Sequence, residues 1–134
     1  NMLTTLAEEL RFAEAYGYLF KIRYADKLFF DVDVDEKYLG WKLPAFSLQP
    51  LIDNAVKHNS ITRSNPFHIS VRTEGDRLVV SNPKVPKLEP EPSTGIGLEN
   101  LRNRWHLITG RSIEIDDDGR TFTVRMPLQN PTAG

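Results

Sequence analysis

The chain has 134 residues, the size of one ordinary domain, and is long enough to bury a hydrophobic core. Apolar residues make up 40% of it and charged residues 26%, a composition typical of a folded protein. The net charge of −1 argues against nucleic acid as a partner, and the absence of cysteine excludes disulfides and thiolate metal sites. No apolar run approaches the roughly 20 residues that cross a bilayer.

The start of the chain reads as a helix followed by a strand. Apolar residues recur at helical spacing over residues 5–25, and Thr5 with Glu8 has the pattern of a capping box. In residues 27–35, KLFFDVDVD, apolar side chains alternate with aspartates. This period of two predicts a half-buried strand with a solvated acidic face.

A second helix is predicted from about Pro44 to position 58. Pro44 suits a first turn, whereas Pro50 lies inside the pattern and should bend the helix or remove a hydrogen bond. At about 100° per residue, one face of this helix is apolar and is formed by Leu48, Leu51, Ile52, Ala55 and Val56. Asn54, Lys57 and His58 are spaced by three and four positions, so they share the opposite side.

The second half of the chain predicts two hairpins separated by a proline-rich segment and a third helix. Residues 67–74 and 77–82 form one hairpin, and residues 111–128 form the other around an acidic turn. Residues 81–97 show no period and contain four closely spaced prolines, which predicts a mobile surface segment. The third helix should cover residues 98–109, with Arg102 and Arg104 on its solvent-exposed face.

The order of these elements, α-β-α-β-β-α-β-β, predicts the fold class. Helices and hairpins are interleaved, so the protein should be α+β with a mixed, mostly antiparallel sheet. Each helix has a single apolar stripe, which predicts a two-layer sandwich with all helices on one face of the sheet.

The polar side of the second helix is the first candidate site. Asn54 can offer an oxygen ligand to Mg²⁺, Lys57 a point charge to phosphate, and His58 a hydrogen-bond donor. The alternative is that all three are solvated residues near a helix C-terminus, where Lys and His also suit the helix dipole.

A second candidate feature is STGIGLEN, which places Thr94, Gly95 and Gly97 directly before the third helix. Glycines let a backbone approach a phosphate, and a helix N-terminus favours anions. A lone GxG is a weak signal. Here it ends a flexible segment in a chain whose second helix carries a patch suited to magnesium and phosphate.

LQPLIDNAVKHN, TGIGLENLRNRW and GRTFTVRMPL resemble the ATP-binding domain of LytS/YehU-type sensor histidine kinases. These belong to the GHKL superfamily, whose ATP-binding domains have the Bergerat fold. The resemblance covers nearly the whole chain and implies three parts. Residues 1–25 would lead from a dimerisation and phosphoacceptor region, residues 26–128 would form the ATP-binding domain, and residues 129–134 would be a frayed tail.

The resemblance also implies ATP and Mg²⁺ as cofactors and assigns roles to single residues. Asn54 matches the magnesium ligand, and Lys57 and His58 match positions that touch phosphate. Residues 83–93 match the lid over the nucleotide. The second glycine-rich box comprises Thr94, Gly95, Ile96, Gly97 and Leu98 and would bind phosphates, while Thr121 matches a residue that contacts adenine through water.

One motif departs from the family pattern. The first glycine-rich box normally begins with an aspartate that accepts a hydrogen bond from the adenine amino group. The segment LVVSNPKVP places Ser81 at that position, followed by Asn82 and Pro83. Ser81 or Asn82 would then supply a neutral acceptor, which is weaker than a carboxylate.

A kinase of this class transfers the γ-phosphoryl group of ATP to a histidine and then to an aspartate of a response regulator. His58 lies in the candidate phosphate site, and neither His68 nor His106 has the surroundings of an acceptor, so we expect the acceptor histidine upstream of residue 1. The related ATPases use a glutamate base where this chain has Pro50. The sequence therefore favours a two-component histidine kinase over an ATP hydrolase.

The chain begins inside an apparent helix, so we expect a fragment of a longer protein. The resemblance implies a cytoplasmic domain of a kinase anchored in the bacterial inner membrane, with no membrane contact by the fragment itself. The upstream dimerisation helices and a response regulator would be its partners. The alternative is a degenerate member of the fold that binds nucleotide weakly or not at all and acts in protein interaction.

Overall fold

A computed structural model describes residues 2–89 and 96–132 of the chain. It contains three α-helices and seven β-strands in these residues, with short 3₁₀ turns at Ala25–Lys27 and Glu36–Tyr38. The elements in chain order are β1 (Leu3–Thr5), α1 (Leu6–Tyr24), β2 (Leu28–Asp33), β3 (Lys42–Pro44), α2 (Gln49–His58), β4 (Phe67–Glu74), β5 (Arg77–Pro83), α3 (Ile96–Thr109), β6 (Glu114–Asp117) and β7 (Thr121–Pro127). None of the helices in the described part of the chain is long and apolar enough to cross a membrane.

The main sheet has five strands in the order β2-β4-β5-β7-β6. β2 runs parallel to β4, and every other neighbouring pair is antiparallel. This arrangement confirms the predicted α+β class with a mixed, mostly antiparallel sheet. β1 and β3 form a separate two-stranded sheet that the sequence did not predict, because runs of three residues are too short to show a period.

The hydrophobic core lies between one face of the main sheet and the helices. Alternation along β4 turns Ile69 and Val71 towards the helices and His68 and Arg72 away from them. All three helices contribute to the same buried cluster, with members that include Leu6, Leu51, Ile52, Leu101 and Trp105. The two-layer sandwich predicted from the single apolar stripe of each helix is therefore confirmed.

α1 begins where its sequence pattern predicts. Thr5 is its N-cap, and the Thr5 hydroxyl accepts a hydrogen bond from the Glu8 backbone N–H at 3.2 Å. The Glu8 carboxylate instead pairs with Arg11 at 3.0 Å, so only half of the capping box is formed.

Near the C-terminus, Gln129 exchanges two backbone hydrogen bonds with Lys42 of β3, which joins Gln129 to the folded core.

α2 begins at Gln49, five positions later than predicted. Pro44 ends β3, and Phe46 has a φ of 63°, which a right-handed helix does not permit. Pro50 therefore falls in the first turn, where a backbone N–H has no partner inside the helix. The bend predicted at Pro50 was wrong, because a proline at this position removes no helical hydrogen bond.

β2 differs from its predicted half-buried pattern. Val32 is 57% exposed, although the alternation places it on the same side as Phe30. β2 is an edge strand that pairs with β4 alone among the described strands, and its last three residues are exposed, with Val32 lining an open groove between the sheet and α1. Periodicity indicates which side chains share a face, whereas neighbouring elements determine how much of that face is covered.

Candidate functional site

A cavity of about 390 Å³ opens between α2, α3 and the ends of β5, β6 and β7. Three parts of the fold that are distant in sequence meet there: the polar side of α2, the first turn of α3, and one end of the main sheet. The described residues that line it are Asn54, His58, Asn59, Asn82, Lys84, Pro86, Leu98, Asp117 and Phe122.

α2 supplies Asn54 and His58, which are four positions apart and therefore lie one above the other on the same side of the helix. The opposite side is anchored in the core, where Ile52, Ala55 and Val56 are at most 6% exposed. This anchoring fixes the rotation of α2 and turns Asn54 and His58 to the cavity. Lys57 is exposed and is not part of the lining.

Asn59 follows α2 and joins it to the segment after β5. Its Nδ2 donates to the Ala55 carbonyl at 2.9 Å, and its Oδ1 accepts from the Val85 backbone N–H at 2.7 Å. The side chain is only 6% exposed, so both hydrogen bonds are shielded from water. Asn59 thus closes the end of α2 and holds the chain at Val85 against the cavity wall. The sequence gives no sign of this long-range contact.

The sheet supplies a row of three side chains across three strands. Asn82 of β5 is in register with Phe122 of β7, and Phe122 is in register with Asp117 of β6. Side chains in register lie on the same face of a sheet, and these three face the cavity. A polar carboxamide, an aromatic ring and a carboxylate therefore line one wall.

Ser81 points away from this wall. Successive side chains of a strand point to opposite faces, and Val80 and Asn82 are on the helix face. The Ser81 hydroxyl accepts a hydrogen bond from Arg72 at 3.0 Å on the other face. Asn82 is therefore the residue of the altered first glycine-rich box that reaches the cavity, and its Nδ2 donates to the Pro83 carbonyl at 2.8 Å.

Thr121 is placed in the same way as Ser81. It is in register with Pro83 and precedes Phe122, so alternation puts the Thr121 side chain on the face away from the cavity. The side chain is exposed, and its backbone N–H donates to Asp118 at 2.8 Å. Thr121 closes the β6–β7 turn rather than lining the cavity.

Lys84 and Asp117 form an ion pair at the cavity. Lys84 Nζ lies 2.7 Å from Asp117 Oδ2, and the Gly119 backbone N–H donates to Asp117 Oδ1 at 2.9 Å. The hydrogen bond from Lys84, followed by that from Gly119, holds the pKa of Asp117 below its ordinary value. Asp117 therefore stays ionised and puts a negative charge, paired with Lys84, beside Phe122 at the cavity. From the sequence, a solvated charge is favoured for Lys84 over a contact with phosphate, and a hairpin turn is predicted for the acidic run.

The first turn of α3 forms the remaining wall. Leu98 lines the cavity, while Ile96 is 57% exposed and Gly97 is exposed beside it. A Cβ atom added to Gly97 would meet none of the described residues within 4 Å, and the φ of Gly97 is not in the left-handed region. Neither the packing of residues 2–89 and 96–132 nor the local backbone therefore requires a glycine at position 97. Thr94 and Gly95 lie outside the described residues, as does part of the predicted lid.

The structure thus gathers four of the predicted residues around one cavity, namely Asn54, His58, Asn82 and Leu98. The other predicted residues that the structure describes lie outside its lining, namely Lys57, Ser81, Ile96, Gly97 and Thr121. Sequence reasoning missed Asn59 and Phe122 and gave no site role to Asp117, whereas Lys84 and Pro86 fall within residues 83–93, which the resemblance matched to the nucleotide lid. The alternation of β7 could have shown which face Phe122 is on. It could not have shown that Phe122 lies beside Asn82, because that register depends on the order of strands in the sheet.

The fold defines the class of protein. The chain is similar to the catalytic domain of the histidine kinase ThkA, with a TM-score of 0.63 and 17% sequence identity. The match covers 97% of this chain and 100% of that domain. The chain therefore has the fold of a histidine kinase catalytic domain.

Sequence similarity narrows this class. The sensor histidine kinase BtsS of Escherichia coli strain K12 is 30% identical over 135 residues, which cover 94% of this chain and 24% of BtsS. The sensor histidine kinase/phosphatase LytS of Staphylococcus aureus strain MRSA252 is 28% identical over 146 residues, covering 93% of this chain and 25% of LytS. No protein-family model matches the chain. Its homologues are sensor histidine kinases of the LytS and BtsS type, as the motifs predicted.

The chain spans about a quarter of the length of these curated relatives.

Proposed function

We propose that this chain is the ATP-binding catalytic domain of a two-component sensor histidine kinase. The observation that supports it best is the meeting of Asn54 and His58 from α2 with Asn82 and Leu98 at one cavity. Asn54 and His58 come from one motif that carries the resemblance, Leu98 from a second, and Asn82 from the altered first glycine-rich box, so three distant segments of the sequence meet at the cavity.

In this proposal Asn54 holds Mg²⁺ through its carboxamide oxygen, since Mg²⁺ prefers oxygen ligands and keeps several waters and substrate phosphates. His58, one helical turn further on, donates to a phosphate oxygen. The backbone N–H groups at the start of α3, at Gly97 and Leu98, bind phosphate as helix N-termini do. Lys57, Ser81 and Thr121 have no role in the cavity.

The cavity suits a nucleotide in size and chemistry. Its volume of about 390 Å³ falls within the usual range for small-molecule sites. Phe122 offers an apolar surface for a base, and Asn82 offers a carboxamide to its edge. When bound, Mg²⁺ neutralises charge on the phosphates, and the protein contributes mainly by positioning them.

The acceptor histidine and the partners lie outside this chain in the proposal. We place the acceptor on a dimerisation helix upstream of residue 1, in a longer kinase anchored in the bacterial inner membrane. A response regulator would then receive the phosphoryl group on an aspartate. The 134-residue chain alone should bind Mg·ATP and transfer no phosphoryl group.

Titration of the chain with Mg·ATP and Mg·ADP by calorimetry, together with thermal shift, tests the proposal. We expect binding of both nucleotides and no sustained release of phosphate. Absence of heat and of thermal shift at millimolar nucleotide would favour the degenerate interaction module. The altered first glycine-rich box, which has Ser81 at the aspartate position and presents only the neutral Asn82 to the cavity, is the observation that supports this second function.

Replacing Gly97 with alanine should have opposite effects on stability and on nucleotide binding. The methyl group meets no neighbour among the residues that the structure describes, and alanine favours a helix over glycine by up to about 1 kcal/mol. The melting temperature should therefore stay level or rise, while the affinity for Mg·ATP falls because the methyl group obstructs the phosphate. Wild-type affinity in Gly97→Ala would contradict the proposed approach of phosphate to α3.

Asn82 and Ser81 offer a matched pair of substitutions on one strand. Asn82→Ala should weaken Mg·ATP binding by about tenfold, the effect of losing roughly 1.4 kcal/mol of hydrogen bonding. Ser81→Ala should leave binding unchanged, because the hydroxyl lies on the other face beside Arg72. Calorimetry on the two variants checks this order, and a larger effect at Ser81 would refute it.

A further inference from the structure

α1 carries a buried carboxylate that contacts the chain leading into α2. Glu9 is 2% exposed, and its two oxygens accept hydrogen bonds from the Phe46 backbone N–H at 3.0 Å and the Leu48 backbone N–H at 3.1 Å. Leu48 is the N-cap residue of α2 and provides no side-chain cap of its own. Glu9 therefore binds, from a different helix, the N–H of the N-cap residue of α2 and the N–H of Phe46 two positions before it.

A carboxylate is the group that this position requires. The first N–H groups of a helix have no partner within it, and the helix dipole favours negative charge at that end. Both oxygens of Glu9 act as acceptors for separate N–H groups. A glutamine of the same shape would have to turn its own NH₂ group towards one of these donors.

The turn that Glu9 holds is also fixed by two further side chains. Arg104 of α3 donates to the carbonyls of Ala45 and Phe46, so it is not the solvated residue that the sequence predicted. The Phe46 ring packs edge-on against Phe12 of α1, with ring centroids 4.9 Å apart. A positive φ is uncommon for a residue with a bulky side chain, and these contacts hold Phe46 in that conformation.

A second contact joins α1 to the middle of α2. The Tyr16 hydroxyl donates to the Asp53 carboxylate, and Asp53 directly precedes Asn54 in the sequence. Burial and this hydrogen bond raise the pKa of Tyr16, so the hydroxyl stays protonated and available as a donor at neutral pH. Glu9, Phe12 and Tyr16 are spaced by three and four positions, so one side of α1 makes all three contacts.

We propose that Glu9 and Tyr16 are positioning residues that fix α2, so that the nucleotide affinity of the cavity depends on the placement of α1. Glu9 fixes the start of α2 through Leu48, and Tyr16 fixes the middle of α2 through Asp53, the neighbour of Asn54. A displacement of α1 breaks both contacts and moves Asn54 and His58 relative to Asn82. The link to nucleotide rests on the proposed function, whereas the link between the two helices does not.

Two substitutions test the proposal, each with a neighbouring control on α1. Glu9→Gln is paired with Glu8→Gln, an exposed carboxylate one position away, and Tyr16→Phe is paired with Tyr18→Phe, whose side chain is 64% exposed. Two quantities are measured in the 134-residue chain: the dissociation constant for Mg·ADP, and the amide hydrogen exchange of α2 without nucleotide.

We expect Glu9→Gln to weaken Mg·ADP binding about tenfold or more, as loss of one charge-assisted hydrogen bond implies, and to speed exchange in α2 but not in β5. Tyr16→Phe should weaken binding a few-fold, and both controls should match the wild type. Ile69→Val, which deletes one buried methyl group from the sheet, should lower the melting temperature without changing the dissociation constant.

The outcomes separate the two proposals. If the wild type binds no nucleotide, the proposed function is wrong, and the exchange data still decide whether α1 holds α2. If Glu9→Gln fails to fold, Tyr16→Phe carries the test, because its hydroxyl contributes little to the core. Wild-type affinity and exchange in Tyr16→Phe, or equal losses in Glu8→Gln and Glu9→Gln, would overturn the positioning role.

Discussion

Replacing Asn54 with alanine should lower the affinity of the chain for Mg·ATP by about a hundredfold. A polar side chain that binds a charged group contributes roughly 1.5–3 kcal/mol to the binding free energy. Asn54 is half-buried and faces the cavity, and α2 is held in the core by the opposite side of the helix. Alanine also favours a helix. The variant should therefore keep its fold and melting temperature while it loses binding, as calorimetry and thermal melting can measure.

The magnesium dependence of binding gives this prediction a specific signature. In the wild type, removal of Mg²⁺ with a chelator should weaken ATP binding, whereas in Asn54→Ala the same treatment should have little further effect. Asn65→Ala, at an exposed loop position, serves as the control and should behave as the wild type. Equal binding of Mg·ATP by Asn54→Ala and the wild type would refute the assignment of Asn54 as the magnesium ligand.

Replacing Trp105 with alanine should produce the largest loss of stability in the chain. Trp105 is 0% exposed and anchors α3, which packs against α2 and β3. Removing a buried indole leaves a cavity and costs about 3–5 kcal/mol. The melting temperature should fall by roughly 10–20 °C for a domain of this size. Nucleotide binding should weaken as well, because α3 forms one wall of the cavity.

Trp105→Phe should be far milder, for a reason that is specific to this site. The Trp105 Nε1 is a buried nitrogen with no hydrogen-bond partner among residues 2–89 and 96–132. An unpaired buried donor costs about 1–3 kcal/mol, and phenylalanine removes it while keeping most of the ring. We expect a net loss of about 1 kcal/mol, measured by chemical denaturation. A loss as large as that of alanine would show that Nε1 has a partner.

The sequence by itself determined the features that depend on local spacing. The apolar stripe of α2 follows from the rotation of about 100° per residue, and the same rotation places Asn54 and His58 on the other side. The alternation of apolar and polar residues predicted β4 and β5, and Gly75 between them has the positive φ of a tight turn. The motifs also predicted the relationship to LytS-type kinases, because they are short contiguous segments.

Only the tertiary structure decided which side chains meet. Ser81 and Asn82 are neighbours in the sequence, and the choice between them depends on which face of β5 is covered by helices. The row from Asn82 through Phe122 to Asp117 depends on the order of strands in the sheet. The contact of Glu9 with Leu48 joins residues 39 positions apart. Such contacts leave no periodic signal, because packing between distant elements, rather than local backbone geometry, brings these side chains together.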